Sequence, residues 1–194
     1  MVDNAEYNAK VAFLFDISMT SNTTPKSIAI LLLFVGMLLP AAQTQTSRAR
    51  LVTIAPVSAP QLVLELSPDG IKERFTPHTA IPTNTANQKW LCIEDGVDTY
   101  IIRSAWDKEL VLSVIDPNIR CGTKVTMAID HARAGQRWSL THINGDIFFI
   151  APRCTPNFVI DNFGGNKSPH TQPDLWTFNR NDNHLMWLLK TAIP

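Results

Sequence analysis

The sequence predicts an all-β fold: a pseudo-threefold barrel capped by hairpins, built from three repeats of about 48 residues with four strands each and preceded by an N-terminal leader. Two observations carry this. A tryptophan behind a polar, amide-bearing stretch returns as NQKW (87–90), GQRW (135–138) and NHLMW (183–187). Apolar runs return in step with it, since LVLEL begins at 62, LVLSV at 110 and FVIDN at 158, both steps being 48 residues. Outside the leader no segment holds a helical period, which removes the competing helical reading.

The leader, residues 1–47, contains SIAILLLFVGMLLPAA (27–42), an apolar run preceded by Lys26 and followed by the small, polar QTQTS. The run has the length of a signal-peptide h-region and falls short of the roughly 20 residues that span a bilayer. Asp3, Glu6 and Asp16 are unusual in an n-region, but a start at Met19 would leave the conventional MTSNTTPK. A secreted, extracellular protein is therefore expected. The rival is an uncleaved signal anchor that holds the same domain outside the cytoplasm, and a membrane enters only if the leader is retained.

Residues 48–194 form the domain, with repeats at about 48–95, 96–143 and 144–194. TIAPVSAPQLVLEL (53–66), IIRSAWDKELVLSV (101–114) and FIAPRCTPNFVIDN (149–162) align without a gap. In each, two apolar runs flank about five turn-prone residues, which is hairpin spacing. A third run, such as TKVTMAI (123–129), and a fourth beginning at the tryptophan, such as WSLTHI, complete four strands. One such unit cannot bury both of its faces, so the three must share a core. Trp90, Trp138 and Trp187 are expected in that core, with Trp187 one residue out of strict register.

These residues resemble the ricin-type β-trefoil family, whose hallmark is one QxW element per repeat: Gln88-Lys89-Trp90, Gln136-Arg137-Trp138 and the imperfect His184-Leu185-Met186-Trp187. The resemblance covers roughly 48–194 and implies a β-trefoil that binds sugar at a shallow pocket in each repeat. Such a pocket needs an acid to accept bonds from neighbouring hydroxyls, an aromatic face for the apolar side of the ring, and an amide to finish orientation. Steps of 48 place the acid at Glu65, Ser113 and Asp161, the aromatic at Ala80, Ala128 and Trp176, and the amide at Asn87, Gly135 and Asn183.

The third repeat alone keeps a full set, Asp161, Trp176 and Asn183, with His184 standing where the family has glutamine. The second has lost all three groups. The first keeps Glu65, Asn87 and Gln88 but lacks the platform unless His78 supplies it, so it reads as a weak or vestigial site. Taken singly, each residue has a structural explanation: Asp161 can organise the DNFGGN turn, Trp176 can cover the barrel rim, and Asn183 lies in the polar NRNDN loop. The expected partner is a glycan or glycoprotein.

Other classes are disfavoured. With 17 basic and 17 acidic residues the chain has no net field for nucleic acid. There is no GxSxG, HExxH or phosphate-cradling glycine motif, and the five histidines lack metal-ligand spacing, so no catalytic residue, cofactor or metal is expected. Cys92, Cys121 and Cys154 allow at most one disulfide; the odd one is a buried filler or a free thiol. Asn166-Lys167-Ser168 is a glycosylation sequon weakened by Pro169. The rival function is a protein-interaction β-trefoil, such as a protease-inhibitor-like module. It would use hairpin tips, including the one at Trp106, in place of a sugar pocket.

Overall fold

The computed structural model describes residues 48–67 and 76–193; the leader and both of its readings lie outside the described residues. In chain order the strands are β1 (Ala49–Pro56), β2 (Val63–Leu66), β3 (Pro77–Ala80), β4 (Trp90–Glu94), β5 (Tyr100–Ser104) and β6 (Leu110–Ser113). They continue with β7 (Thr123–Lys124), β8 (Thr126–Ile129), β9 (Trp138–Asn144), β10 (Ile147–Pro152), β11 (Phe158–Asp161), β12 (Asp174–Thr177) and β13 (Trp187–Thr191). Among the described residues the helical elements are short 3₁₀ turns.

Six strands close on themselves in the order β4–β1–β13–β10–β9–β5 and back to β4. They are the first and last strands of each repeat, so the barrel belongs to all three equally. The middle strands form the cap as three antiparallel pairs, β2 with β3, β6 with β8, and β11 with β12. This is a β-trefoil.

Threefold packing follows from the threefold sequence. Ile54, Ile102 and Ile150 stand at equivalent positions and are at most 1% exposed. Trp90, Trp138 and Trp187 are equally buried, and each indole N–H donates to a backbone carbonyl: Leu64 (3.0 Å), Leu112 (3.0 Å) and Ile160 (2.8 Å). A buried indole needs such a partner, and here it ties the last strand of a repeat to its second.

The run 123–129 departs from the expected single strand. Thr126–Ile129 pairs with β6 of its own repeat, whereas Thr123–Lys124 pairs with β12 of the next. Two partners on different sides split the run at Val125. Thr171 makes the equivalent crossing to the first repeat, accepting the Thr79 N–H at 2.9 Å.

The displacement of Trp187 also has a structural origin. Equivalent bonds link Ala105 N–H to Lys89 O, Arg153 N–H to Arg137 O, and Val57 N–H to Met186 O. Likewise Val114 N–H donates to Gly135 O (2.8 Å) and Asn162 N–H to His184 O (3.0 Å). The third repeat therefore carries one extra residue before His184. The 3₁₀ turns Ala86–Gln88, Ala134–Gln136 and Asn183–Leu185 correspond in this register, each closed by a C-cap N–H bonded to the carbonyl of its first residue, which leaves the insertion in the loop 177–182.

Candidate functional site

β11 and β12 set the site of the third repeat. Their register pairs Asp161 with Asp174 and Val159 with Trp176, so both acids and the tryptophan project from one face of the hairpin. Beyond Asp161 the chain turns through Phe163 (φ 31°), Gly164 (φ 64°) and Gly165 (φ 78°), left-handed backbone that glycine adopts readily. That turn brings the Gly164 N–H back onto Asp161 Oδ2 at 3.0 Å and leaves the Phe163 ring exposed on the rim.

The result is a shallow hollow of about 430 Å³ lined by Asp161, Phe163, Gly164, Trp176, Asp182 and His184. Asp161 forms its floor, 3% exposed, while Trp176 stands 43% exposed at the side. His184 Nδ1 lies 2.7 Å from Asp161 Oδ1, and Nε2 lies 3.9 Å from Asp182 Oδ2. An ionised carboxylate only accepts, so Nδ1 carries the hydrogen of the Asp161 contact, while Nε2 faces Asp182. Each Asp161 oxygen has one protein donor and retains a lone pair for another.

Of the four residues expected here, the structure gathers Asp161, Trp176 and His184. Asn183 does not join them: it is exposed at the start of its 3₁₀ turn, where the other repeats have Ala86 and Ala134. Steps of 48 pass over the insertion, whereas the backbone puts His184 at the amide position and buried Leu185 at the glutamine position.

The groups expected to form the first-repeat site engage one another. Glu65 Oε2 accepts from Gln88 Nε2 at 2.6 Å, and its Oε1 lies 3.6 Å from His78 Nε2. His78 is buried and packs at 5.2 Å from the His170 ring, so it offers no open platform in place of buried Ala80. Asn87 Nδ2 donates to Leu66 O at 3.4 Å. In the second repeat Ser113 donates to Val111 O (2.8 Å) and accepts from Gln136 Nε2 (3.3 Å).

Sequence reasoning missed Phe163, Asp182 and Lys124. The glycine pair at 164–165 hints at a turn that presents Phe163. Lys124 had no local signal, because it arrives from the second repeat through the β7–β12 pairing. Its Nζ donates to Asp174 Oδ2 at 3.0 Å and sits 4.5 Å from the Phe163 ring centroid. Asp174 is fully buried with Oδ1 unpartnered; burial above all pushes its carboxyl up, Asp161 adds to this, and Lys124 opposes it.

Among the thiols, Cys92 is buried and its pKa is pushed up to about 12 by burial, while Cys121 and Cys154 are exposed; all three are free. Trp106 stands 46% exposed at the β5–β6 tip.

No protein-family profile and no curated protein matches the sequence. Solved structures do match. The Macrolepiota procera ricin B-like lectin in complex with lactose is 23% identical, with TM-score 0.63 over 77% of this chain and 100% of that one. The Rhizoctonia solani agglutinin is 17% identical, with TM-score 0.65 over 79% and 100%. The designed threefold-symmetric ThreeFoil is 13% identical, with TM-score 0.67 over 73% and 99%. The fold also matches 31% of an exo-β-1,3-galactanase from Clostridium thermocellum. These likenesses establish the β-trefoil fold.

Proposed function

We propose that the protein is a secreted, non-enzymatic, lectin-like β-trefoil that binds the sugar of a glycan or glycoprotein through a single site in the third repeat. The observation that carries this reading is the half-exposed Trp176 beside the floor carboxylate of Asp161, within one hollow. The indole stacks on the apolar face of a pyranose, Asp161 accepts from two of its hydroxyls, and His184 Nε2 hydrogen-bonds a third. Phe163 and Asp182 bound the ring on the open side. The fold shared with ricin B-like lectins supports the same reading.

One stacked ring with a few bonds gives an affinity in the millimolar to high-micromolar range, about −4 to −6 kcal/mol. Useful avidity then requires a multivalent glycan surface. The test is a glycan array followed by titration of a hit against the protein and its Trp176→Ala variant. Binding lost in the variant while the circular dichroism is unchanged supports the site. A silent array with folded protein rejects it and turns attention to the hairpin tips as a protein-binding surface.

A further inference from the structure

A second hollow adjoins the first. It measures about 350 Å³ and is lined in part by Ile115, Asp116, Arg120, Gly122, Thr123 and Lys124 of the second repeat. Residues 121–124 run along β12: Lys124 pairs with Asp174, Gly122 N–H donates to the carbonyl of Leu175 (2.8 Å), and Cys121 Sγ lies 3.2 Å from Thr177 Oγ1. The segment is thus laid beside the strand that carries Trp176. Lys124 links the two hollows: it lines the second, and its ammonium lies over the ring of Phe163, which lines the first. Gly122 has no side chain, and the space a Cβ would enter is open.

The two hollows differ in charge. The first holds Asp161 and Asp182, which repel an anionic ring. The second holds two cations against Asp116. Asp116 Oδ1 already accepts the Asn118 N–H at 2.8 Å, and Lys124 donates one hydrogen bond to Asp174. Arg120 is exposed and, among the described residues, has no acidic partner; its Nη1 donates only to the carbonyl of Asn118 at 3.3 Å. Its remaining guanidinium donors suit a carboxylate or a sulfate.

Resting on the sugar site of the third repeat, we infer that the binding surface continues across β7 into an anion subsite formed by Arg120 and Lys124. The preferred ligand is then an acidic glycan, with a neutral ring over Trp176 and a neighbouring unit that carries a carboxylate or sulfate.

The test is an array of neutral glycans, each paired with its sulfated and its sialylated or uronic derivative, probed at low and high salt with the full chain and with Arg120→Gln. The acidic members should bind about five- to tenfold tighter than their neutral parents at low salt, and salt should erode the difference. In Arg120→Gln that advantage should fall to about twofold or less with neutral binding unchanged, while Arg120→Lys keeps part of it. A response to sulfates alone or to carboxylates alone supports the subsite and identifies its anion. Neutral binding without an acidic advantage, or an advantage that survives Arg120→Gln, overturns the subsite and leaves the sugar site standing. Silence across neutral and acidic members alike overturns both.

Discussion

In the second repeat Gln136 closes a circuit: its Oε1 accepts from His131 and Arg133 N–H groups, and its Nε2 donates to Ile129 O and Ser113 Oγ. In the third, Leu185 occupies that seat, buried and without polar atoms, and the loop above it is held by Asn179 bonding to Asp182 Oδ2 and to Asn181 N–H. The same backbone frame thus directs its polar groups inward in one repeat and around an open hollow in the other. A binding site on this fold arises where side chains keep bonding capacity toward an open hollow after the scaffold has taken its share.

The comparison breaks most severely at the tryptophans. Trp138→Ala should cost about 3–5 kcal/mol, because a fully buried indole and its bond to Leu112 O are both lost. Trp176→Ala, at an exposed position, should stay within about 0.5 kcal/mol. Denaturant midpoints of the two variants measure this; equal losses would mean that Trp176 is a core residue.

Gly135→Ala is expected next, at about 1–3 kcal/mol, since an added Cβ would stand 2.2 Å from the carbonyl oxygen of Val114. Restoring an amide in the second repeat by Gly135→Asn should fail for the same reason. A Gly135→Ala protein with an unchanged midpoint would contradict that close approach. His184, the equivalent residue, should tolerate replacement by Ala with the fold retained and sugar binding weakened.

Two acids sharpen the contrast through pH, with opposite signs. Asp174 has a raised carboxyl, so its ionised form lowers stability at neutral pH, and that penalty is relieved as pH falls through the folded value. Lys124→Met removes the opposing cation. The variant should lose stability at pH 7 and regain part of it as pH drops toward the carboxylate range; a gap that is constant with pH would refute this.

Asp130, in the second repeat, behaves in reverse and more weakly, being partly exposed. Burial raises its carboxyl, but the Arg137 hydrogen bond, the Ala132 N–H and the charges of Arg137 and Arg103 outweigh it and hold the group below 3.8. It stabilises the fold above about pH 4 and loses that contribution as pH falls through the lowered value. Asp130→Asn should reduce stability at pH 7 and flatten the acid limb of the profile; an unaltered limb would assign the slope to other carboxylates.

The barrel and its three buried tryptophans were legible because their patterns return in all three repeats, the apolar runs in steps of 48 and the tryptophans in steps of 48 and 49. The site was legible only in part. Asp161 and Trp176 precede the insertion, so steps of 48 reach them. Asn183 follows it, and only the backbone bonds from Asn162 and Val57 reveal that His184 inherits the amide seat. Lys124 could not be read from its own repeat, because its partners arise from pairing between repeats. The neutrality of Gly135 was readable as a missing side chain, but its contact with Val114 was not.

The extra residue in 177–182 carries one more implication. The 3₁₀ turn after it keeps the geometry of its counterparts, and Trp187 keeps its carbonyl partner, so the lengthening is absorbed without disturbance to the interior. With leucine in place of the glutamine that clamps the other two loops, this stretch is the natural graft point of the molecule. Libraries of altered length and composition inserted there would reshape the rim beside Asp182 and retune ligand choice, on a scaffold that has already accommodated one such change.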